Sequence, residues 1–281
     1  MPSSLNAPSK QSPLIFTDLD GTLLDHNDYD FSAAQDILNK LAKHKITVIP
    51  NTSKTRAEVL KIRQAMQLHG PFIVENGAAV YLPNTCLPNQ PADTQECEGY
   101  WCKTFAPPRS LWVNLLDSLK NQYGDLFRHF ATMTVEQVSA ATGLDAADAK
   151  LAMQREFGEP IEWLGTTQQK MHFIEALKTL GANPVEGGRF MHLKGDTDKG
   201  LAMQWLVAQY QQQLPQHEWV SVALGDGQND ASMLEMANHA VRILSPVNPL
   251  PIINDNKNVI TSTLAGPAGW AECLQKLLFT K

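Results

Sequence analysis

The chain has 281 residues, with 23 Lys and Arg against 29 Asp and Glu, a formal net charge of -6, and 43% hydrophobic and 19% charged residues. With a sequence pI near 5.7, this is the balance of a soluble globular protein long enough for two domains, and it excludes one that holds a polyanion such as nucleic acid by charge alone. No apolar run reaches the roughly 18 residues that a bilayer span needs, and the polar residues 1–12 lack the basic and apolar regions of a leader, so a cytoplasmic protein with neither a nucleic-acid nor a membrane partner is expected.

Leu14, Ile15 and Phe16 read as a short buried strand that stops at Asp18-Leu19-Asp20-Gly21. Two carboxylates two residues apart, then a turn glycine, stand where open α/β sheets bind ligands, just beyond a strand's carboxyl end. One carboxylate there can attack while its neighbour handles a proton, although such pairs also occur in solvated turns. Ser32 with Gln35 reads as a capping box, and Ala34, Ile37, Leu38 and Leu41 follow at helical spacing. Residues 46–49 are β-branched and short, a second strand. Thr55 with Glu58 caps another helix, with Val59, Ile62 and Met66 on one face, and Phe72-Ile73-Val74 is a third strand. This βαβαβ order predicts a doubly wound parallel sheet.

From residue 84 the rhythm breaks at a loop with Pro88, Asn89 and Pro91. Helical patterns at 111–119 and 146–155, and strand-like runs at 161–164 and 190–193, predict an inserted α+β domain. The α/β rhythm then returns: a helix at 201–210, a strand at 219–224, a helix at 231–236, a strand at 240–243 and an amphipathic helix at 270–278. The expected division is a loose tail at 1–12, a core of 13–83 with 195–281, and an insertion at 84–194. Cys86, Cys97, Cys102 and Cys273 are expected as reduced thiols, since the Cys97/Cys102 pair has no second pair at zinc spacing.

Three further spots carry chemistry. Thr52-Ser53-Lys54 follows the second strand, where a hydroxyl and free amides either cap the helix or bind an anion. Lys199, at a helix start, either supplies a point charge for phosphate or is solvated. Gly225-Asp226-Gly227-Gln228-Asn229-Asp230 puts two acids on a glycine-rich turn beyond a buried strand. That is either a surface turn or a seat for Mg²⁺, which takes carboxylate oxygens and keeps waters.

Taken in this order, the four spots resemble the haloacid dehalogenase superfamily in its phosphatase branch. The resemblance implies a Rossmann-like core with a cap, and Asp18 as a nucleophile that forms an aspartyl-phosphate. Asp20 would be the general acid and then the base. Thr52 and Lys199 would bind the phosphoryl group. Mg²⁺ would be held by Asp18, the Asp20 carbonyl and Asp226, with Asn229 and Asp230 completing that shell or positioning Lys199. These roles fit phosphoryl transfer, which is mostly positioning and charge neutralisation, and a carboxylate nucleophile divides it into two steps.

The insertion follows Glu75-Asn76-Gly77-Ala78, as in sugar-phosphatase-like members. Thr52-Ser53-Lys54-Thr55-Arg56, Arg155-Glu156-Phe157-Gly158-Glu159-Pro160, Gly187-Gly188-Arg189-Phe190-Met191-His192 and Gly266-Pro267-Ala268-Gly269-Trp270 resemble the mannosyl-3-phosphoglycerate phosphatases. Gly158 stands where that family often has serine. The resemblance implies substrate contacts from Ser53, Lys54, Glu75, Asn76, Arg155, Glu159, Gly188, Arg189 and Asn229. Arg155 or Arg189 would fork onto a carboxylate and Glu159 would accept from sugar hydroxyls, or Arg155 and Glu159 simply bridge cap elements on the surface. His172 and His192 are expected to be structural. The expected protein is an Mg²⁺-dependent phosphatase of mannosyl-3-phosphoglycerate, a monomer or weak homodimer whose partner is a small phosphorylated sugar. The alternatives are a phosphatase of glucosyl-3-phosphoglycerate, sucrose phosphate or another phosphorylated sugar, a sugar phosphomutase, and a silent binding module.

Overall fold

A computed structural model describes residues 11–186, 190–254 and 259–280. In chain order the elements are β1 (Gln11–Thr17), α1 (Gln35–Lys43), β2 (Thr47–Pro50), α2 (Arg56–Ala65), β3 (Phe72–Val74), β4 (Ala79–Pro83), β5 (Gln95–Cys97), β6 (Tyr100–Thr104), α3 (Arg109–Tyr123), β7 (Phe127–His129), α4 (Val135–Thr142), α5 (Ala146–Ala152), β8 (Glu159–Trp163), α6 (Thr167–Thr179), β9 (Val185–Glu186), β10 (Met191–Leu193), α7 (Lys199–Gln213), β11 (Glu218–Gly225), α8 (Ala231–Met236), β12 (His239–Leu244), β13 (Val259–Ala265) and α9 (Gly266–Leu274). No helix of the described residues is long and apolar enough to cross a membrane.

The chain divides into two compact units, the first made of Met1–Ser53, Arg63–Lys103 and Asp198–Lys281. Its main sheet has the order β13-β12-β11-β1-β2, and every pair is parallel. The fold is therefore the expected α/β one. Leu14, Ile15 and Phe16 of β1 are fully buried, as an interior strand of a parallel sheet covered on both faces must be.

Three local readings need correction. First, β3 meets β2 only through an isolated Asn51–Ile73 bridge. It then pairs antiparallel with β4, in a separate sheet of order β3-β4-β6-β5. The cause is local: Glu75, Asn76 and Gly77 all have positive φ (47°, 57° and 89°), so the chain turns straight back and makes a hairpin. Second, Ser32 does not cap α1. It lies in a 3-10 turn and its amide donates to Asp30 Oδ1 at 3.2 Å. Third, the sequence pattern predicts no strand after 240–243, whereas β13 adds an edge strand beside β12.

The second unit is Lys54–Ile62 with Thr104–Thr197; it shares residues 104–194 with the expected insertion, while β5 and most of β6 belong to the first unit. Its sheet has the order β7-β8-β10-β9, and all pairs are antiparallel. Trp112, Leu116 and Leu119 of α3 and Phe173 and Leu177 of α6 pack with Phe127, Ile161, Met191 and Leu193 of the strands. A smaller cluster joins Phe130, Met133, Val138 and Ala149 with Phe190. The expected Thr55/Glu58 box is present: Thr55 N donates to Glu58 Oε2 at 2.8 Å, and Glu58 N to Thr55 Oγ1 at 3.2 Å. Boxes at Thr134/Gln137 and Thr166/Gln169 start α4 and α6. The helix expected to reach Arg155 stops at Ala152.

Candidate active site

In the first unit, strand register sets three chemically loaded segments side by side. Thr17 lies level with Pro50 of β2 and with Leu224 of β11. Asp18, Thr52 and Asp226 therefore leave adjacent strand ends. Asn51 N donates to Thr17 O at 2.8 Å, and Asp18 N donates to Leu224 O at 2.9 Å, so the first residue after each strand is still tied to its neighbour. Asp18, Thr52, Asp226 and Asp230 are buried, and Asp20 is half-buried one turn further on.

Lys199 joins these ends. It is fully buried, and its Nζ donates to Asp18 Oδ1 and to Asp230 Oδ1, each at 2.6 Å. Burial works against its charge, but the carboxylates of Asp18 and Asp230 outweigh that and hold its pKa above the usual ammonium value. Asp230 Oδ2 accepts from the amides of Asp226 and Gly227 at 3.1 and 3.0 Å, which locks the Gly225–Asp230 turn. Burial, together with the Asp18 carboxylate, pushes the Asp230 carboxyl up to about 7 against the pull of Lys199. Burial and then Asp18 also push Asp226 up.

The charge count explains this. Asp18, Asp226 and Asp230 bring carboxylate oxygens within 4.8 Å of one another, so three acids share one lysine in a dry place. Buried charge needs compensation. The donors are all hard carboxylate oxygens, which fits a divalent cation of the Mg²⁺ type. Asp226 is held by Thr22, which donates to its Oδ1 at 3.0 Å, and by Asn248, which donates to its Oδ2 at 3.0 Å.

The remaining expected residues divide between the units. Asn76 belongs to the cluster's surroundings: its amide donates to Thr52 O at 2.9 Å, and its Oδ1 accepts from Asn229 Nδ2 at 3.3 Å. Glu75, buried, and half-buried Ser53 are in the same unit. Lys54, Arg155 and Glu159 are in the second unit. Lys54 pairs with Glu58 at 3.7 Å, and Arg155 Nε donates to Gly158 O at 3.2 Å. Gly188 and Arg189 lie outside the described residues.

Glu159 was expected on sugar hydroxyls, but the structure gives it internal partners. It is fully buried. Its Oε2 accepts from Arg109 Nε, and its Oε1 meets His129 Nδ1 and the Ala131 amide, both at 2.8 Å. Both oxygens are occupied inside the fold, so Glu159 is a strut of the second unit.

Sequence reasoning missed the supports. Asn51 Nδ2 donates to Lys199 O at 3.0 Å, and Asp198 caps α7 by accepting from Leu201 N at 2.9 Å. A Cβ on Gly77 would stand 2.1 Å from Asp198 O, so only glycine lets this turn touch the start of α7. The Asn76-Gly77 pair was a turn signal. Nothing in the local sequence marks Asn248.

A family model described as haloacid dehalogenase-like hydrolase matches residues 15–101. A glucosyl-3-phosphoglycerate/mannosyl-3-phosphoglycerate phosphatase of Methanococcoides burtonii is 34% identical over 268 residues, covering 94% of this chain and 97% of the relative. Among solved structures, a protein of Thermotoga maritima superposes with a TM-score of 0.67 at 16% identity, covering 96% and 98% of the two chains. The sucrose-phosphatase of Synechocystis, solved with sucrose and phosphate, gives 0.56 at 14% identity, covering 94% and 97%. At such identities these structures speak for the fold.

Proposed function

The chain belongs to the haloacid dehalogenase-like hydrolases, and from that premise we propose that it is an Mg²⁺-dependent phosphatase that hydrolyses mannosyl-3-phosphoglycerate to mannosylglycerate and phosphate. The observation that carries the reaction type is Lys199, fully buried and shared between Asp18 and Asp230 at 2.6 Å. A lysine so placed holds the Asp18 carboxylate in position while offering positive charge to an incoming phosphoryl group.

In this reading Asp18 attacks phosphorus and the ester oxygen–phosphorus bond breaks. Asp20 gives its proton to the departing alkoxide, then takes one from the water that releases phosphate from Asp18. Thr52 and Lys199 hold the phosphoryl oxygens. A cation held by Asp18, Asp226, Asp230 and the Asp20 carbonyl would offset the repulsion between the carboxylates and an anionic ester. Ser53, Glu75, Asn76 and Asn229 would border the same end of the substrate.

Two observations support the substrate. The relative of 34% identity carries both glycosyl-phosphoglycerates in its name. In the second unit, Arg155 and Lys194 bring positive charge to His192, which an anionic group such as a glycerate carboxylate would complement. The relative's double name equally favours glucosyl-3-phosphoglycerate as a second substrate.

The test is phosphate release, with Mg²⁺ and with EDTA, from the mannosyl and glucosyl compounds, 3-phosphoglycerate, mannose 6-phosphate and sucrose 6-phosphate. Mg²⁺-dependent preference for the mannosyl compound is expected, and Asp18→Asn should reduce turnover at least about 1,000-fold. Preference for a sugar phosphate without glycerate sinks the substrate, and wild-type turnover by Asp18→Asn sinks the nucleophile.

A further inference from the structure

We propose that Trp270 is a positioning residue for Asp18, acting through Thr17. The proposal rests on the reading of Asp18 as nucleophile and goes beyond it by giving a role to the Gly266-Pro267-Ala268-Gly269-Trp270 segment, which the chemistry above leaves unused.

Trp270 Nε1 donates to Thr17 Oγ1 at 3.0 Å, and that hydroxyl donates to the main-chain carbonyl of Asp18 at 2.7 Å. Thr17 and Trp270 are fully buried, so no solvent replaces either bond. An indole only donates, and a hydroxyl has one proton. The direction is therefore set: indole to hydroxyl to carbonyl. With the indole proton on one lone pair, the hydroxyl's own proton is left for Asp18.

The need for this is visible in β1. The strand ends at Thr17, so the Asp18 carbonyl has left the ladder, and a buried carbonyl requires a partner. Thr17 supplies one from the preceding residue. The Asp18 amide is tied on its own side to Leu224 O at 2.9 Å. Both main-chain polar groups of Asp18 are thus held, which fixes the peptide plane from which its carboxylate projects and sets the direction in which the chain runs on to Asp20.

The segment brings the indole to this place by close approach. A Cβ at Gly269 would lie 2.1 Å from Leu264 O and 2.8 Å from Ser262 Oγ, so bare backbone is required where α9 lies against the end of β13. Ser262 Oγ in turn donates to Leu264 O at 2.6 Å and accepts from Leu244 N at 2.9 Å, which ties the end of β13, against which α9 lies, to β12. Pro267 stands in the first turn of α9, where its missing N–H costs nothing. Helix α9 is thereby held to the sheet, with Trp270 reaching Thr17 at the end of β1.

The experiment compares Thr17→Val, Thr17→Ser, Trp270→Phe and the Thr17→Val/Trp270→Phe double variant with the wild type. Readouts are thermal unfolding, kcat and KM on p-nitrophenyl phosphate with Mg²⁺, and Mg²⁺ affinity by calorimetry. Thr17→Val is expected to lower kcat about tenfold with KM within about twofold, as a misaimed carboxylate would, and to weaken Mg²⁺ binding severalfold. Thr17→Ser restores both. Trp270→Phe loses less in the same direction, and the double variant loses no more than Thr17→Val because both act along one path. Wild-type kcat and Mg²⁺ affinity in Thr17→Val overturns the proposal, as do losses that multiply in the double variant. If the wild type releases no phosphate from any ester, the phosphatase reading fails, and the Mg²⁺ titrations of Thr17→Val and Thr17→Ser still decide this one. If Trp270→Phe does not fold, the Thr17 pair decides.

Discussion

Each unit buries a polar cluster built on carboxylate, three acids in the first and one in the second, and the two differ in charge balance. In the first unit, Asp18, Asp226 and Asp230 face one lysine; burial and mutual repulsion raise the carboxyls of Asp226 and Asp230. In the second, Glu159 alone faces Arg109, His129 and an amide. Burial works against its charge too, but His129 and then Arg109 outweigh it and hold its pKa below the usual carboxylate range. The first cluster is incomplete without added positive charge; the second is complete. Burial and hydrogen bonding are common to both, so on the function proposed above it is the uneven charge that would separate a site from a strut.

The largest effect should follow from worsening that imbalance. Lys199→Met leaves the carboxylates facing one another, and is expected to lower kcat at least about 100-fold and stability by about 3–5 kcal/mol. Mg²⁺ should raise the unfolding temperature of the wild type, because a ligand that binds only the folded state stabilises it. It should raise that of Lys199→Met further, while leaving turnover lost. Thermal unfolding with and without Mg²⁺ checks this. A wild type indifferent to Mg²⁺ would break the comparison at its first term.

Glu159→Gln examines the balanced cluster. It leaves the half-buried Arg109 guanidinium without its counter-charge, so a stability loss of about 2 kcal/mol at neutral pH is expected, and Mg²⁺ should recover none of it. The pH dependence has a definite sign. The folded pKa of Glu159 is depressed, so as pH falls the unfolded chain takes up the proton first. Its contribution is full above the ordinary value of about 4.3 and is lost as pH falls through the folded value. Urea unfolding between pH 3 and 7 should show that acid-side loss in the wild type and less of it in Glu159→Gln. Equal slopes would mean the carboxylate is not ionised in the fold.

The two clusters were unequally legible in sequence. Asp18, Thr52 and Asp226 each follow a short apolar run, and a parallel sheet necessarily brings such ends together, so local pattern plus topology was sufficient. Lys199 was legible as a residue but not as a buried one, because its burial depends on Gly77, Asn51 and Asp230, all far away in the chain. Glu159 was misread for the same reason: its partners Arg109 and His129 lie 50 and 30 residues off, and no periodicity reports them. The β3–β4 reversal turns on Glu75 and Asn76 in left-handed conformations that their residue types do not demand. Lys54–Ile62 groups with the second unit through long-range contacts, among them Thr55 Oγ1 to Leu151 O at 2.9 Å and the Lys61–Asp148 ion pair.

The smallest expected effect sharpens the comparison from the opposite sign. Where the first unit groups acids, the second sets Arg155 and Lys194 near His192, whose pKa is pulled down to about 4 by burial and then by those two charges. Lys194 is itself tethered, donating to Thr197 O at 2.9 Å. In the unfolded chain a histidine titrates near 6.5, so between the two values the unfolded state binds the extra proton and stability rises with pH. The contribution is full above about 6.5 and lost as pH falls toward 4, amounting to at most about 3 kcal/mol. This window lies above that of Glu159, so one pH series separates them. His192→Asn should flatten the upper window and leave the lower one. An anionic ligand seated by Arg155 and Lys194 should raise the His192 pKa toward its ordinary value, read from its ring-proton shifts during titration with 3-phosphoglycerate. A pKa unmoved by saturating ligand would mean that the positive charge near His192 does not mark a site, and the charge-balance rule would then hold for the first unit only.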